Sequence, residues 1–202
     1  MNNNSTDNTL EKLRELPVFI VEEKQQGTIW ARRAGVACAE TQWVAVIDDD
    51  VTLLDGWLDS MRSFVTEFPF ADAVTSRILT PLPNHLFWAK SILAENPSDT
   101  IFEYGHGSPP MGTAFMCRRN VFLEFSKRPK RLGRDDVART LSGGGEDIEL
   151  FKKAMLGRKR VFHNGKTTAI HEIEEWRKNF CYLKQLQDAY ADHKYIEEYW
   201  LS

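Results

Sequence analysis

The apolar and polar positions of the first half of the chain alternate between strand-like runs and helix-like spacings. Buried strands are predicted at Val18–Val21, Trp43–Ile47 and Ala71–Leu79. Helices are predicted at Asn8–Leu16, opened by a capping box of Asn8 and Glu11, at Gly27–Ala39, and from Asp55 onward, with Leu58, Met61 and Val65 on one face. Such alternation favours an α/β fold with a parallel sheet.

The second half carries shorter signals. Strands are predicted at Thr113–Met116, Val161–Phe162 and Thr167–Ile170. Helices are predicted at Asn120–Phe125, at Glu146–Gly157, and from Glu174 onward with Trp176, Phe180, Leu183 and Tyr190 on one face. We therefore divide the chain into an α/β domain at 1–172 and a C-terminal helical extension at 173–202.

Composition narrows the class of protein. The 202 residues are 42% hydrophobic and 27% charged, with a net charge of −3, which is typical of a globular domain and gives no reason to expect nucleic-acid binding. The three cysteines are far apart, so neither a disulfide framework nor a zinc knuckle is expected. Since no apolar run is long enough to span a bilayer and no signal peptide is evident, we expect a cytoplasmic protein.

The most suggestive motif is the run of three aspartates, Asp48–Asp50, directly after the predicted strand Trp43–Ile47. Adjacent carboxylates repel one another unless a cation lies among them, and hard oxygen ligands suit Mg²⁺ or Mn²⁺. Ligands of open α/β sheets bind beyond the carboxyl ends of strands, where these aspartates lie. A solvated acidic turn that caps the next helix is an equally good interpretation of the triplet alone.

Two later features could also carry chemistry. Gly143–Gly145 precede Glu146 and Asp147 at a predicted helix start, where the helix dipole favours ionised carboxylates that can act as a general base. His171 follows the predicted strand Thr167–Ile170. Taken alone, the first is also an acidic helix start after a loop, and the second a hydrogen-bonded structural histidine.

The order of these motifs resembles that of the family-two glycosyltransferases with a GT-A fold. The similarity runs from about Asn2 to His171, through a helix start, Arg32, the strand with its aspartates, Gly56-Trp57-Leu58, the Glu-Asp pair and the late histidine. The resemblance implies a nucleotide-diphospho-sugar transferase fold, a Rossmann-like mixed sheet flanked by helices, and an inverting, metal-assisted hexosyltransferase.

The resemblance also implies roles for individual residues. Asp147 would be the catalytic base and Glu146 would lie near the acceptor, while Gly112 and Thr113 would form the acceptor side. Asp50 and His171 would hold Mn²⁺ or Mg²⁺. The donor, a UDP-sugar by this resemblance, would be bound by Asn3, Arg32, Asp48 and Asp49.

The chain departs from the family pattern at its start. The usual first strand and Pro-x-Tyr-Asn-like nucleotide-binding turn have no counterpart, so we expect an N-terminally truncated domain whose missing part lies upstream of Met1. Asn3 and Arg33 stand where Asp and Asn are commoner, which bears on the base and ribose contacts. These departures motivate an alternative function, a non-catalytic nucleotide-, metal- or partner-binding protein. A phosphoryl-transfer enzyme is disfavoured because no Walker-type loop is present.

The expected acceptor is a saccharide or a lipid-linked sugar, in the synthesis of cell-surface polysaccharide or glycoconjugate. Lys127–Arg134 holds five basic residues in eight, which would suit a phosphate-bearing acceptor or a peripheral contact with the inner face of the membrane. A solvated loop is an equally good interpretation. The aromatic C-terminal helix admits packing on the domain or a homo-oligomer.

Overall fold

The structure, a computed structural model, describes residues 1–105, 108–127 and 145–188. Its strands are β1 (Trp43–Ile47), β2 (Val51–Leu53), β3 (Ala73–Leu79), β4 (Ile101–Glu103), β5 (Ala114–Arg118) and β6 (Val161–His171). Its α-helices are α1 (Thr9–Arg14), α2 (Thr28–Cys38), α3 (Trp57–Glu67), α4 (Arg119–Phe125) and α5 (Glu146–Leu156). Short 3₁₀ helices lie at Asn84–Ala89, Ser91–Leu93 and Glu175–Arg177, and residues 180–188 are helical.

The strands form one mixed sheet in the order β1-β5-β3-β6-β2, with β4 paired to the first half of β6. Only β3 and β6 run parallel, whereas the other pairs are antiparallel. The expectation of a parallel sheet is therefore wrong, and that of a Rossmann-like mixed sheet flanked by helices is confirmed. After β1 the chain turns, so that β2 pairs antiparallel with the last residues of β6.

Apolar side chains cover both faces of the sheet. On one face, Val44 and Val46 of β1 pack in a core with Ile29 of α2 and Phe151 of α5. On the other face, α3 contributes the core residues Trp57, Met61 and Phe64. A third cluster joins the 3₁₀ segments at 84–93 to the chain after β6 through Leu86, Leu93, Ile173, Leu183 and Leu186. The helical extension thus packs on the loop region that borders the end of the sheet.

One side of β1 has no strand beside it among the described residues. The bonds from Arg119 N to Gln42 O and from Asp48 N to Thr113 O place the even-numbered backbone groups of β1 toward β5. The N–H and C=O groups of Ala45 and Ile47 therefore point away from β5. A groove of about 680 Å³ lies along this edge, between β1, α2 and the first residues of the chain.

Several sequence predictions for the N-terminal region need correction. The predicted strand Val18–Val21 is absent: Phe19 is 85% exposed, and only an isolated bridge joins Glu22 to Asn2. The capping box is also wrong, because Asn8 makes no side-chain cap and Asp7 Oδ1 accepts the hydrogen bond from Thr9 N instead. Helix α1 has no buried residue, so apolar contacts do little to hold it in place.

Later elements lie close to their predicted bounds, with local differences. Leu58 of α3 is exposed rather than on the buried face, because the helix starts at Trp57 and turns Trp57, Met61 and Phe64 inward. The two short strands predicted at Val161–Phe162 and Thr167–Ile170 are parts of one strand, β6, with a register shift after Asn164.

The C-terminal helix begins at 180 rather than at Glu174. Of the predicted apolar face, Leu183 is buried, whereas Trp176 and Phe180 are more than 60% exposed. Tyr190, Gly143, Gly144 and the basic loop beyond Lys127 lie outside the described residues.

Candidate functional site

The register of β2 with β6 brings the last aspartate of the triplet to the late histidine. Val51 pairs with His171, and Glu172 N donates to Asp50 O at 2.8 Å. As a result, His171 Nε2 lies 3.3 Å from Asp50 Oδ2. Two residues that are 121 positions apart in the chain thus converge at one point beyond the end of β1.

The ring of His171 is oriented by a backbone carbonyl. Its Nδ1 lies 2.7 Å from Leu93 O, and because a carbonyl only accepts, Nδ1 carries the proton. In the neutral imidazole, Nε2 then presents a lone pair toward Asp50 Oδ2. Two such atoms facing each other require either a second proton on the ring or a cation between them.

This pair fits a divalent cation. Ligand atoms at right angles around Mg²⁺, each about 2.1 Å from the ion, lie about 3 Å apart. The described residues contain no group of three or more His, Cys, Asp or Glu side chains that could hold a metal ion alone. Two protein ligands suffice for Mg²⁺ when substrate phosphates and water complete its shell.

Arg32 of α2 holds two other carboxylates of the site. Its Nη2 donates to Asp48 Oδ1, and its Nη1 donates to Glu146 Oε1 at 3.0 Å. The side chains of Arg32 and Glu146 are about 10% exposed. Arg32 therefore links the end of β1 to the start of α5, the two acidic motifs that the sequence places almost a hundred residues apart.

Burial and neighbouring charges raise the pKa of some carboxyl groups of the cavity and lower that of another. Burial, together with the charge of Asp147, raises the pKa of Glu146 to about 7, against the opposing charge of Arg32. Burial also raises the pKa of Asp48, although Arg32 opposes the shift. Burial would do the same at Asp50, but the hydrogen bond and charge of His171 and the charge of Arg177 outweigh it and lower the pKa of that carboxyl.

Asp147 is the carboxylate aimed at the loop before β5. Its Oδ2 accepts a hydrogen bond from the backbone N–H of Gly112. A Cβ at position 112 would lie 2.9 Å from the ring of Phe115 and 3.1 Å from Cβ of Asp147, so glycine is what permits this close approach. The neighbouring Thr113 is buried, and its hydroxyl has no hydrogen-bond partner within the described part of the chain.

These groups line one open cavity of about 260 Å³. The described lining includes five carboxylates and two guanidinium groups, so its negative charge exceeds its positive charge. Its ionisable residues are Asp48, Asp49, Asp50, Glu146, Asp147, His171, Arg32 and Arg177. The structure thus brings together nine of the ten site residues predicted from the sequence, since Gly112 borders the cavity through Asp147.

Asn3 is the exception. It lines the groove along β1 rather than the acidic cavity, and its side chain is engaged by the backbone of the segment before α2. Its Nδ2 donates to Glu23 O and Gln25 O, and its Oδ1 accepts from Gly27 N at 2.9 Å. Arg32, Asp48 and Asp49 border both the groove and the cavity, so the two form neighbouring compartments.

Arg177 is a site residue that the sequence analysis missed. Its Nη1 donates to Asp50 Oδ2 at 3.1 Å, beside His171. No motif marks it, because only the packing of the extension on residues 84–93 returns this arginine to the end of β1.

The mixed sheet and its acidic, arginine-clamped cavity define an α/β protein with a charged cavity beyond the ends of its strands. The family model for glycosyl transferase family 2 matches residues 1–125, more than half of the chain. The chain belongs to this family, and its fold is GT-A-like.

Comparison with solved structures gives a weaker likeness to apo UDP-glucose pyrophosphorylase, with 13% identity and a TM-score of 0.48 over 94% of this chain and 71% of that one. No curated protein matches the chain. No helix among the described residues is long and apolar enough to cross a membrane.

Proposed function

We propose that this protein is an inverting glycosyltransferase that moves a sugar from a nucleotide-diphosphate donor, expected to be a UDP-sugar, to a hydroxyl group of a saccharide or lipid-linked acceptor. Family membership supports a nucleotide-sugar donor. The observation that supports metal-assisted transfer and base catalysis is the convergence of Asp50, His171 and Asp147 on one cavity.

The charge of the cavity supports a role for a cation. A nucleoside diphosphate is itself anionic, and five carboxylates line the space it would enter. Asp50 and His171 would hold Mn²⁺ or Mg²⁺, which when bound neutralises charge on the departing diphosphate. Arg32 and Thr28, which border both compartments, lie where they could contact the donor.

Asp147 is suited to be the base. Its Oδ2 is held by Gly112 N, and its Oδ1, which has no hydrogen-bond partner among the described residues, would accept the proton of the acceptor hydroxyl. The deprotonated oxygen then attacks the anomeric carbon, the glycosidic bond forms, and the nucleoside diphosphate leaves from the opposite face. A single displacement inverts the configuration of that carbon.

A panel of UDP-, GDP- and dTDP-sugars, assayed for nucleotide release and transfer to saccharide acceptors, tests the proposal. Asp147→Asn should reduce transfer by about a thousandfold, because a positioned base contributes roughly 10²–10⁴ in rate. Asp59→Asn is the matched control, since Asp59 is an exposed aspartate on α3. Equal transfer rates for wild type and Asp147→Asn would show that Asp147 is not the catalytic base.

A second candidate function is a non-catalytic nucleotide- or partner-binding protein. It is favoured by the arginines that already neutralise Asp48 and Asp50, and by the open edge of β1. Calorimetric titration with UDP and Mn²⁺ separates the two, since binding without transfer or nucleotide release from any donor in the panel supports this candidate.

A further inference from the structure

Arg177 lies at the point where a cation would be held. It ends the short 3₁₀ segment Glu175–Arg177, and its side chain is only 9% exposed. Its Nη1 and the Nε2 of His171 lie 3.1 Å and 3.3 Å from the same carboxylate oxygen, Asp50 Oδ2. A cation bound by Asp50 and His171 would need that oxygen and would repel the guanidinium.

The guanidinium of Arg177 is incompletely satisfied. Its Nε is buried without a hydrogen-bond partner in the described ranges, although a buried polar group is normally paired. Its carbon Cζ lies 6.0 Å from the ring centre of Tyr182, at the limit of a cation–π contact. Asp50 is the acidic partner that the structure gives this arginine, through one hydrogen bond.

Ile173 and Leu183 are buried on either side of the segment that carries Arg177, but no main-chain hydrogen bond joins residues 175–177 to another element within the described residues. Its main chain makes the local bond from Arg177 N to Glu174 O, and the neighbouring Trp176 is exposed. A short 3₁₀ turn of this kind can shift its side chain without breaking a strand or a long helix. Since Arg177 also lines the open cavity, its guanidinium can turn toward that space when a cation takes its place at Asp50.

We propose that Arg177 is an internal competitor of the divalent cation: it neutralises Asp50 when the cation is absent, and it gives up Asp50 Oδ2 when the cation binds. The inference rests on the cation-binding part of the proposed function. It makes cation binding weaker than Asp50 and His171 alone would allow, and it couples occupancy of the site to the position of residues 175–177.

Mn²⁺ titration of the full chain without nucleotide, followed by the electron paramagnetic resonance of free Mn²⁺, tests the inference. Arg177→Met keeps an unbranched apolar stem but removes the charge, and should bind Mn²⁺ about tenfold more tightly, the equivalent of one charge-assisted hydrogen bond. Arg177→Lys should lie between this variant and wild type. Arg160→Met, which breaks an exposed ion pair with Glu103, should match wild type.

Mn²⁺ affinity that is unchanged or weaker in a folded Arg177→Met variant would overturn the inference. Should that variant not fold, the Nε–H resonance of Arg177 in the wild-type chain decides: it should shift in proportion to Mg²⁺ binding, and a constant resonance at saturating Mg²⁺ would also overturn it.

The outcome is separable from that of the proposed function. Sugar transfer that persists in EDTA, with no Mn²⁺ bound by any variant, rejects the inference but leaves the transferase standing. Tighter Mn²⁺ binding by Arg177→Met, without transfer from any donor, supports the inference and rejects the transferase.

Discussion

Two arginines form ion pairs with carboxylates of this cavity, but they are held differently. Arg32 projects from the eleven-residue helix α2 and bonds two carboxylates, Asp48 and Glu146, that belong to separate elements. Arg177 projects from a three-residue turn and bonds one oxygen of Asp50, and its Nε has no partner in the part of the chain that the structure describes. The first arrangement ties the fold together, whereas the second is suited to exchange its partner.

The difference shows that two arginines in one site can have different roles. A buried cation that links two elements cannot be removed without leaving two carboxylates uncompensated. A buried cation that serves one carboxylate can be replaced by another cation at that carboxylate. Substitutions at each end of the cavity should therefore separate loss of folding from loss of ligand binding.

The largest effect is expected at Arg32. Arg32→Met leaves Asp48 and Glu146 facing each other without a counter-charge, and breaking a buried pair of this kind costs about 3–5 kcal/mol of unfolding free energy. Arg177→Met should cost clearly less, because only Asp50 loses a partner. Urea unfolding of both variants checks the order, and equal losses would contradict the contrast drawn between the two arginines.

The next effect concerns the loop that positions Asp147. In Gly112→Ala the new Cβ would lie against the Phe115 ring and the Cβ of Asp147. We expect transfer to fall by up to about a hundredfold, the cost of misplacing a reacting group by roughly 1 Å.

Gly105→Ala is the matched control for that change, since a Cβ at Gly105 has no neighbour within 4 Å among the described residues. A Gly112→Ala variant that transfers sugar at the wild-type rate would show that the approach of Asp147 to this loop is not needed for the reaction.

A third effect is a dependence of stability on pH. Because burial raises the pKa of Glu146 to about 7, from 4.5, the folded chain binds this proton more tightly than the unfolded chain. The contribution to stability is complete below pH 4.5 and is lost as pH rises through 7. Glu146→Gln should resist that loss, and at pH 8 should be more stable than wild type by an amount of the order of 2 kcal/mol.

Thermal unfolding of wild type and Glu146→Gln between about pH 3.5 and pH 8 measures this effect. The two melting curves should converge at low pH, where Glu146 is protonated in both states. Parallel pH profiles would mean that the carboxyl of Glu146 ionises as readily in the folded chain as in the unfolded one.

Sequence patterns predicted most of the strands and helices because the hydrophobic patterns that mark them are local. The strand Trp43–Ile47 is five apolar residues between polar ones, and the helix at 28–38 starts after a glycine, so both lie where expected. The strand predicted at Val18–Val21 failed because an apolar run does not reveal whether anything packs on it; Phe19 is exposed. The polar gap after Asn164 hides a register shift within one strand, β6.

The site was predictable only in part, for the same reason. The Asp-rich motif, the Glu-Asp pair and His171 each stand out in the sequence, and their order allowed them to be assigned to one site. The clamp of Arg32 on both motifs and the position of Arg177 depend on contacts between distant segments, which no local pattern encodes.

The smallest effect, and the one that most directly sets Asp50 apart from Glu146, is expected at low pH. Although burial opposes it, the hydrogen bond and charge of His171 and the charge of Arg177 lower the pKa of Asp50, so its contribution to stability is present above the unfolded-state pKa and is lost as pH falls through the folded-state value. Since Asp50 is partly exposed, Asp50→Asn should cost only about 1 kcal/mol at pH 7, and progressively less as the pH falls and Asp50 becomes protonated. The two carboxyls should thus give pH profiles of opposite sign, and chemical denaturation across this range measures both. The stability difference between Asp50→Asn and wild type should not grow as the pH falls. If it does, His171 and Arg177 do not favour the ionised carboxylate of Asp50, and the contrast between Asp50 and Glu146 is wrong.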